Sequence, residues 1–152
     1  PRMLLRNLNR VFTKYSKSEH FLTLMTLHIN YKTGKVKYAS AGHEPAMHYH
    51  AKTNTITELY TKGPAIGFFE TSEFHEQEIQ LEEGDLIILY TDGLIEDKNS
   101  SEEKIIDGMK NAIGNVDRTK HAEEIANEIL EKVTSVRTSD FHDDRTIIII
   151  KG

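Results

Sequence analysis

The sequence predicts an α+β domain in which helices pack on antiparallel sheet, and three observations predict it. Apolar residues recur at helical spacing near the start of the chain and again in its last third. Between them lies a series of short segments rich in β-branched and aromatic residues, separated by glycine, proline and asparagine. The strands come in one run with two helices after it, which segregates helix from sheet instead of alternating them in βαβ units.

Taken in order, Leu4, Leu5, Leu8, Val11, Phe12 and Tyr15 fall on one side of a helix whose other side carries Asn7, Arg10 and Lys14. Phe21 to Ile29 reads as a strand, Thr33-Gly34 as a hairpin turn, and Val36 to Ala41 as the returning strand. Gly42-His43-Glu44-Pro45 interrupts it. Ala46 to His50 and Thr55 to Leu59 then extend what reads as an antiparallel meander. A loop punctuated by Gly63-Pro64 and Gly67 leads to a half-buried strand at Phe74 to Leu81 and a fully buried one at Asp85 to Thr91. Ser100 and Glu103 have the spacing of a capping box at the start of the next helix. Thr119 to Val133 aligns Ala122, Ile125, Ala126, Ile129, Leu130 and Val133 on one face, and Thr146 to Ile150 closes the chain as a strand.

Composition narrows the function. A chain of 152 residues, 38% hydrophobic and 28% charged, has the length and make-up of one globular domain with a real core. Lys and Arg number 19 against 24 Asp and Glu, a net charge of −5, and the basic residues are scattered. That points away from nucleic acid. With no cysteine, thiolate metal sites, disulfides and cysteine nucleophiles are excluded, which fits a cytoplasmic protein. No apolar run is long enough to span a bilayer and no signal-peptide pattern is present. The chain starts at Pro1, directly before a helical pattern, and reads as a fragment of something longer.

Two stretches carry the chemistry. Gly84-Asp85-Leu86-Ile87-Ile88-Leu89-Tyr90-Thr91-Asp92-Gly93 ends an apolar run on Asp92, and Asp143-Asp144-Arg145-Thr146 opens a run of four isoleucines. Carboxylates fixed at the ends of rigid strands suit hard divalent cations, which require oxygen ligands in set positions. Each pair alone is equally a turn, since Asp and Gly favour turns. If the two strands are neighbours, the carboxylates converge at one sheet edge.

Together with Phe21-Leu22-Thr23-Leu24 and Tyr38-Ala39-Ser40-Ala41-Gly42-His43-Glu44-Pro45, these stretches resemble the metal-dependent serine/threonine protein phosphatases (PPM family), in the bacterial SpoIIE/RsbU-like branch. The resemblance implies a sandwich of two antiparallel sheets flanked by helices, of which residues 1–152 would be the C-terminal two-thirds. It implies a binuclear Mn²⁺ or Mg²⁺ centre with Asp92 and Asp143 as carboxylate ligands to one metal, and direct attack of activated water on a phosphoserine or phosphothreonine. Asp144 would position the ligands or form the loop. The implied substrate is a phosphorylated anti-sigma factor antagonist, with a regulatory domain or activator acting on the first helix, Arg2 to Tyr15, whose Arg6 and Arg10 offer a contact surface. The family also uses an earlier Asp-Gly motif that this chain lacks; Asp107-Gly108 falls inside a predicted helix. The fragment alone is therefore expected not to assemble the binuclear centre. Two rivals stand beside this reading: a non-catalytic scaffold of the same fold, and a small-molecule phosphohydrolase.

Other candidates carry two readings each. His43 either shapes its turn through a side-chain hydrogen bond or meets phosphate or metal. His48 and His50 share a strand face, a spacing that can bind metal or simply expose two histidines. His142 adjoins the Asp pair as a loop residue, a pH sensor or a substrate contact. Arg145 is the best phosphate contact, through its fork of donors, or pairs with Asp92 or Asp143 when metal is absent.

Overall fold

The computed structural model describes residues 1–16, 19–97, 100–136 and 144–152. They form helices α1 (Arg2–Tyr15), α2 (Glu102–Asn115) and α3 (Ala122–Val136), and strands β1 (Leu24–Asn30), β2 (Lys35–Ala41), β3 (Ala46–His50), β4 (Thr55–Leu59), β5 (Gln77–Gln80), β6 (Leu86–Tyr90) and β7 (Ile147–Lys151). The chain divides into two units, one comprising Pro1–Pro45 and Leu59–Leu81, the other Ala46–Glu58 and Glu82–Gly152.

In the first unit the sheet order is β1-β2-β5, antiparallel throughout. Asn30 starts the β1–β2 turn: its backbone carbonyl accepts from Thr33 and Gly34, and its Oδ1 accepts from Lys32 N at 3.1 Å. Gly34 sits at φ +68°, a conformation that side chains resist. Helix α1 places Leu5, Leu8 and Phe12 against Ala39, Ala41, Ile66 and Phe74. Leu5 is fully buried, which is worth roughly 1.5–3 kcal/mol. The same face carries a buried polar residue, Asn9. Its Nδ2 donates to the carbonyls of Phe69 and Glu70 at 2.9 and 3.3 Å, and its Oδ1 accepts from Gly67 N at 2.9 Å. Periodicity finds the helix but not this use of its inner face, because asparagine reads as a polar-face residue.

In the second unit the order is β4-β3-β6-β7, so β6 is an inner strand and β7 an edge. Leu86, Ile87 and Ile88 are fully buried on β6, while Ile148 on β7 is 51% exposed. Ile105, Met109 and Ile113 of α2 and Ile125, Ile129 and Val133 of α3 form one core with Met47, Tyr49, Leu86 and Ile88. The helical spacing in the sequence was set by this shared face. Lys151 Nζ donates to the carbonyls of Arg118 and Lys120, tying the end of β7 to the α2–α3 turn.

The described elements correct three expectations. There is no four-strand meander: β3 pairs with β6, and β2 with β1 and β5. Gly42–Pro45 is thus where the chain changes sheets, which the local pattern of strands and turns cannot distinguish from a wide hairpin. The capping box does not form; Ser101, not Ser100, is the N-cap of α2, and it makes no side-chain cap bond. The strand predicted over 74–81 pairs only at Gln77–Gln80, because Phe74 leaves the ladder to join the α1 core.

Candidate metal centre

The apolar run of β6 ends at Tyr90, and after Thr91 the chain enters a single 3-10 turn at Asp92–Leu94. Gly93 and Leu94 are buried there, which anchors the turn, while Asp92 stays exposed. Its backbone carbonyl accepts from the N–H groups of Ile95 and Glu96 at 2.8 and 2.9 Å. Its Oδ1 accepts from Gly93 N at 2.9 Å, so the carboxylate is held by its own turn. Among the described residues no lysine, arginine or histidine pairs with it.

β6 and β7 are neighbours, with Tyr90 opposite Ile147. Beyond that pair Thr91 extends the connection. Its N–H donates to Thr146 O at 3.1 Å, its hydroxyl donates to Asp144 O at 3.3 Å, and the same oxygen accepts from Thr146 N at 3.0 Å. The residue preceding Asp92 is thereby clamped to the segment beginning at Asp144. Asp143 and His142 lie outside the described residues. Asp144 contributes its backbone carbonyl to the clamp. The expected adjacency of the two strands holds.

Arg145 does not pair with Asp92. Its Nη1 donates to Thr134 Oγ1 of α3 at 3.3 Å. It lines a pocket of about 600 Å³ with Leu130, Glu131, Thr134 and Ser135.

The turn at His43 is closed from Ser40. The Ser40 hydroxyl donates to His43 O at 3.2 Å and accepts from His43 N at 3.3 Å. Gly42 has φ +67°, and a Cβ there would stand 2.9 Å from Ala65 N, so the motif's glycine is required on both counts. Both bonds from Ser40 to this turn run through the backbone of His43.

At the start of β6 stands a constellation the strand pattern concealed. Asp85 is 2% exposed. Its Oδ1 accepts from Ala51 N at 2.9 Å, and its Oδ2 accepts from Glu82 N at 3.1 Å and meets His48 Nε2 at 3.0 Å. Burial pushes the Asp85 carboxyl up, but the two backbone N–H groups and His48 outweigh it and hold it below its ordinary value. His48 is only 1% exposed, contrary to the reading of two exposed histidines. Burial, helped by the neighbouring His50, lowers its pKa in spite of the Asp85 hydrogen bond. His50 is half-buried, its ring 3.9 Å from that of His48 and its Nε2 2.9 Å from Thr57 Oγ1. The signal that could have found the group is strand register. With Tyr49 opposite Leu86, residue 85 falls beside the end of β3.

Among the described residues no helix is long and apolar enough to cross a membrane. The model of the stage II sporulation protein E (SpoIIE) family matches residues 1–152. Phosphoserine phosphatase RsbU of Bacillus subtilis is 29% identical over 151 residues, covering 99% of this chain and 45% of RsbU. The chain thus spans less than half the length of that relative. The RsbU and RsbW domains of Rv1364c from Mycobacterium tuberculosis superpose with a TM-score of 0.83 at 21% identity, over 99% of this chain and 42% of that one. The Mn-presoaked phosphatase domain of SpoIIE from Bacillus subtilis gives 0.69 at 20% identity, over 98% of this chain and 64% of that one. These likenesses establish the α+β phosphatase-domain fold, with two antiparallel sheets and three helices.

Proposed function

The chain belongs to the stage II sporulation protein E (SpoIIE) family, and from that premise we propose that it carries part of the active site of a metal-dependent phosphatase that hydrolyses phosphoserine or phosphothreonine on a protein. The observation that carries this reading is the Thr91 clamp, which fixes Asp92 at the sheet end where the segment after Asp143 begins. Asp92 fits a hard cation: an exposed carboxylate, oriented by the Gly93 N–H and without a basic partner among the described residues. A scaffold without metal would have no need of both Asp92 and Asp143.

Asp92 and Asp143 would hold the metal, with Thr91 and the Asp144 carbonyl fixing their spacing. In the intact domain a pair of Mn²⁺ or Mg²⁺ ions, one of them held by Asp92 and Asp143, would supply neutralisation of phosphoryl charge and acidification of water. The chain's own part is to orient and to bind. Rigid β6 holds Asp92 against drift, and Arg145, placed at a pocket by Thr134, offers planar donors to a phosphoryl group. With a net charge of −5 the chain does little to steer phosphate towards itself, so attraction falls to the cations and Arg145.

Residues 1–152 are read as the C-terminal two-thirds of the phosphatase domain, supported by the 64% coverage of the SpoIIE phosphatase domain. The substrate is read as a phosphorylated anti-sigma factor antagonist, supported by the similarity to RsbU. Helix α1 is read as the surface for a regulatory domain or activator. Its support is a groove of about 890 Å³ lined by Arg2, Arg6 and Arg10 together with residues 70–75.

The test is Mn²⁺-dependent phosphate release from a phosphoserine protein by the intact protein carrying this chain, beside its Asp92→Asn variant. Release that requires Mn²⁺ and collapses in the variant supports the reading. Substrate binding without release in the unaltered protein favours the scaffold, and faster release from free phosphorylated metabolites favours a small-molecule enzyme.

A further inference from the structure

We propose a second cation site, for a borderline divalent ion such as Zn²⁺, formed by His48, His50 and Asp85 at the opposite end of β6 from Asp92. One ring nitrogen of each histidine and one carboxylate oxygen of Asp85 lie within 4.8 Å of one another. Two nitrogens and one oxygen are the donor set of open zinc sites, with water as the fourth ligand. Imidazole selects zinc, nickel or copper over the hard ions that carboxylates and water prefer. This separates the site chemically from the oxygen ligands around Asp92.

The nitrogen of His48 that faces Asp85 is Nε2, at 3.0 Å, and this is the one placed to ligate an ion shared with that carboxylate. His48 is 1% exposed, its Nε2 is taken by Asp85, and its Nδ1 is buried with no hydrogen-bond partner. Hydrogen bonding thus satisfies only half of a ring sealed from solvent, an arrangement that hydrogen-bonded cores avoid. On metal binding, the ring proton of His48 resides on the nitrogen that does not ligate.

The geometry needs one adjustment. Ligands bonded at about 2.1 Å stand about 3.4 Å apart around a tetrahedral ion. The 4.8 Å outer span therefore has to close by more than 1 Å. His50 is the member able to move, being half-buried at the end of β3, whereas Asp85 is fixed by the N–H groups of Ala51 and Glu82. With His50 Nε2 on the Thr57 hydroxyl, Nδ1 is the nitrogen it offers, and Thr57 orients the ring from outside.

The experiment titrates the untagged chain with Co²⁺, and with Zn²⁺ by calorimetry, in excess Mg²⁺ to keep oxygen sites filled. Four-coordinate Co²⁺ should develop its visible absorption at one equivalent. His50→Ala should weaken binding by about 100-fold or more and Thr57→Val by about tenfold, judged against the 10–100-fold typical of outer partners. Asp92→Asn should leave it unchanged. Absence of the Co²⁺ spectrum, undiminished binding in His50→Ala, or loss of binding in Asp92→Asn would each overturn the site; the last would put the ion at the oxygen ligands instead. His50 is half-exposed, so a folded His50→Ala protein is expected and circular dichroism checks it.

Discussion

At one end of β6, Asp85 is 2% exposed, accepts from two backbone N–H groups and meets His48. Just past the other end of the strand, Asp92 is exposed, and among the described residues its side chain accepts only from Gly93. The same residue type bounds the same strand twice, and its surroundings assign the roles. A buried carboxylate surrounded by donors holds the structure together whether or not an ion joins it, since removing it strands its donors. An exposed one, oriented by a single N–H and without a basic partner among the described residues, retains capacity for a ligand. Sequence alone shows two aspartates; partner count and burial tell them apart.

The largest expected effect is on activity. Asp92→Asn should reduce Mn²⁺-dependent phosphate release by more than the roughly 10–100-fold lost with outer-shell groups, while shifting stability by no more than about 0.5 kcal/mol. A phosphatase assay paired with urea denaturation measures both. A variant that unfolded more readily instead would erase the contrast with Asp85. Asp85→Ala should do the reverse. It strands the N–H groups of Ala51 and Glu82 and leaves His48 without its carboxylate. The cost should be about 3–5 kcal/mol, from two or three stranded donors at roughly 1–3 kcal/mol each, or a fall of roughly 6–20 °C in Tm at this chain length. Retention of Tm would show that water or rearrangement satisfies those donors.

Between the two lies Thr91, whose hydroxyl joins the ends of β6 and β7. Thr91→Val keeps the shape and removes the clamp, at an expected cost of about 1 kcal/mol. If the clamp sets ligand spacing, the Mn²⁺ concentration for half-maximal activity should rise more than kcat falls. An equal fall in kcat at saturating Mn²⁺, with no change in that concentration, would reduce Thr91 to a strand-end contact.

What could be read in advance follows the range of the interactions. Helix α1 was legible because Leu5, Leu8 and Phe12 repeat within one helix, and β6 because its run is continuously apolar. The Asp92 end was legible as strand followed by Asp-Gly, a local pattern. The Asp85 end was not, since His48 and Asp85 are 37 residues apart and meet only through the β3–β6 register. Sheet membership failed for the same reason, because nothing within Gly42–Pro45 says which strand β3 will pair with. Asn9 was hidden differently: its partners are backbone groups of residues 67–70, which have no sequence signature.

The smallest effect is a slope. His48 has a folded pKa below its unfolded value of about 6.5. Between those two values the unfolded chain binds more protons than the folded one, so stability rises with pH there and falls as the solution is acidified below neutrality. The loss from this group cannot exceed about 1.4 kcal/mol per pH unit. Asp85 acts in another window. Its folded pKa is depressed, so its contribution is present above the ordinary carboxylate value near 3.9 and disappears only as pH falls through the lower folded value. Urea midpoints taken from pH 7.5 to 5 should therefore fall more steeply for the unaltered chain than for His48→Leu. Parallel profiles would mean that burial does not hold His48 neutral. A profile that rises on acidification would mean that Asp85 and protonated His48 form a stabilising ion pair, and the fastener at this end of β6 would then be electrostatic.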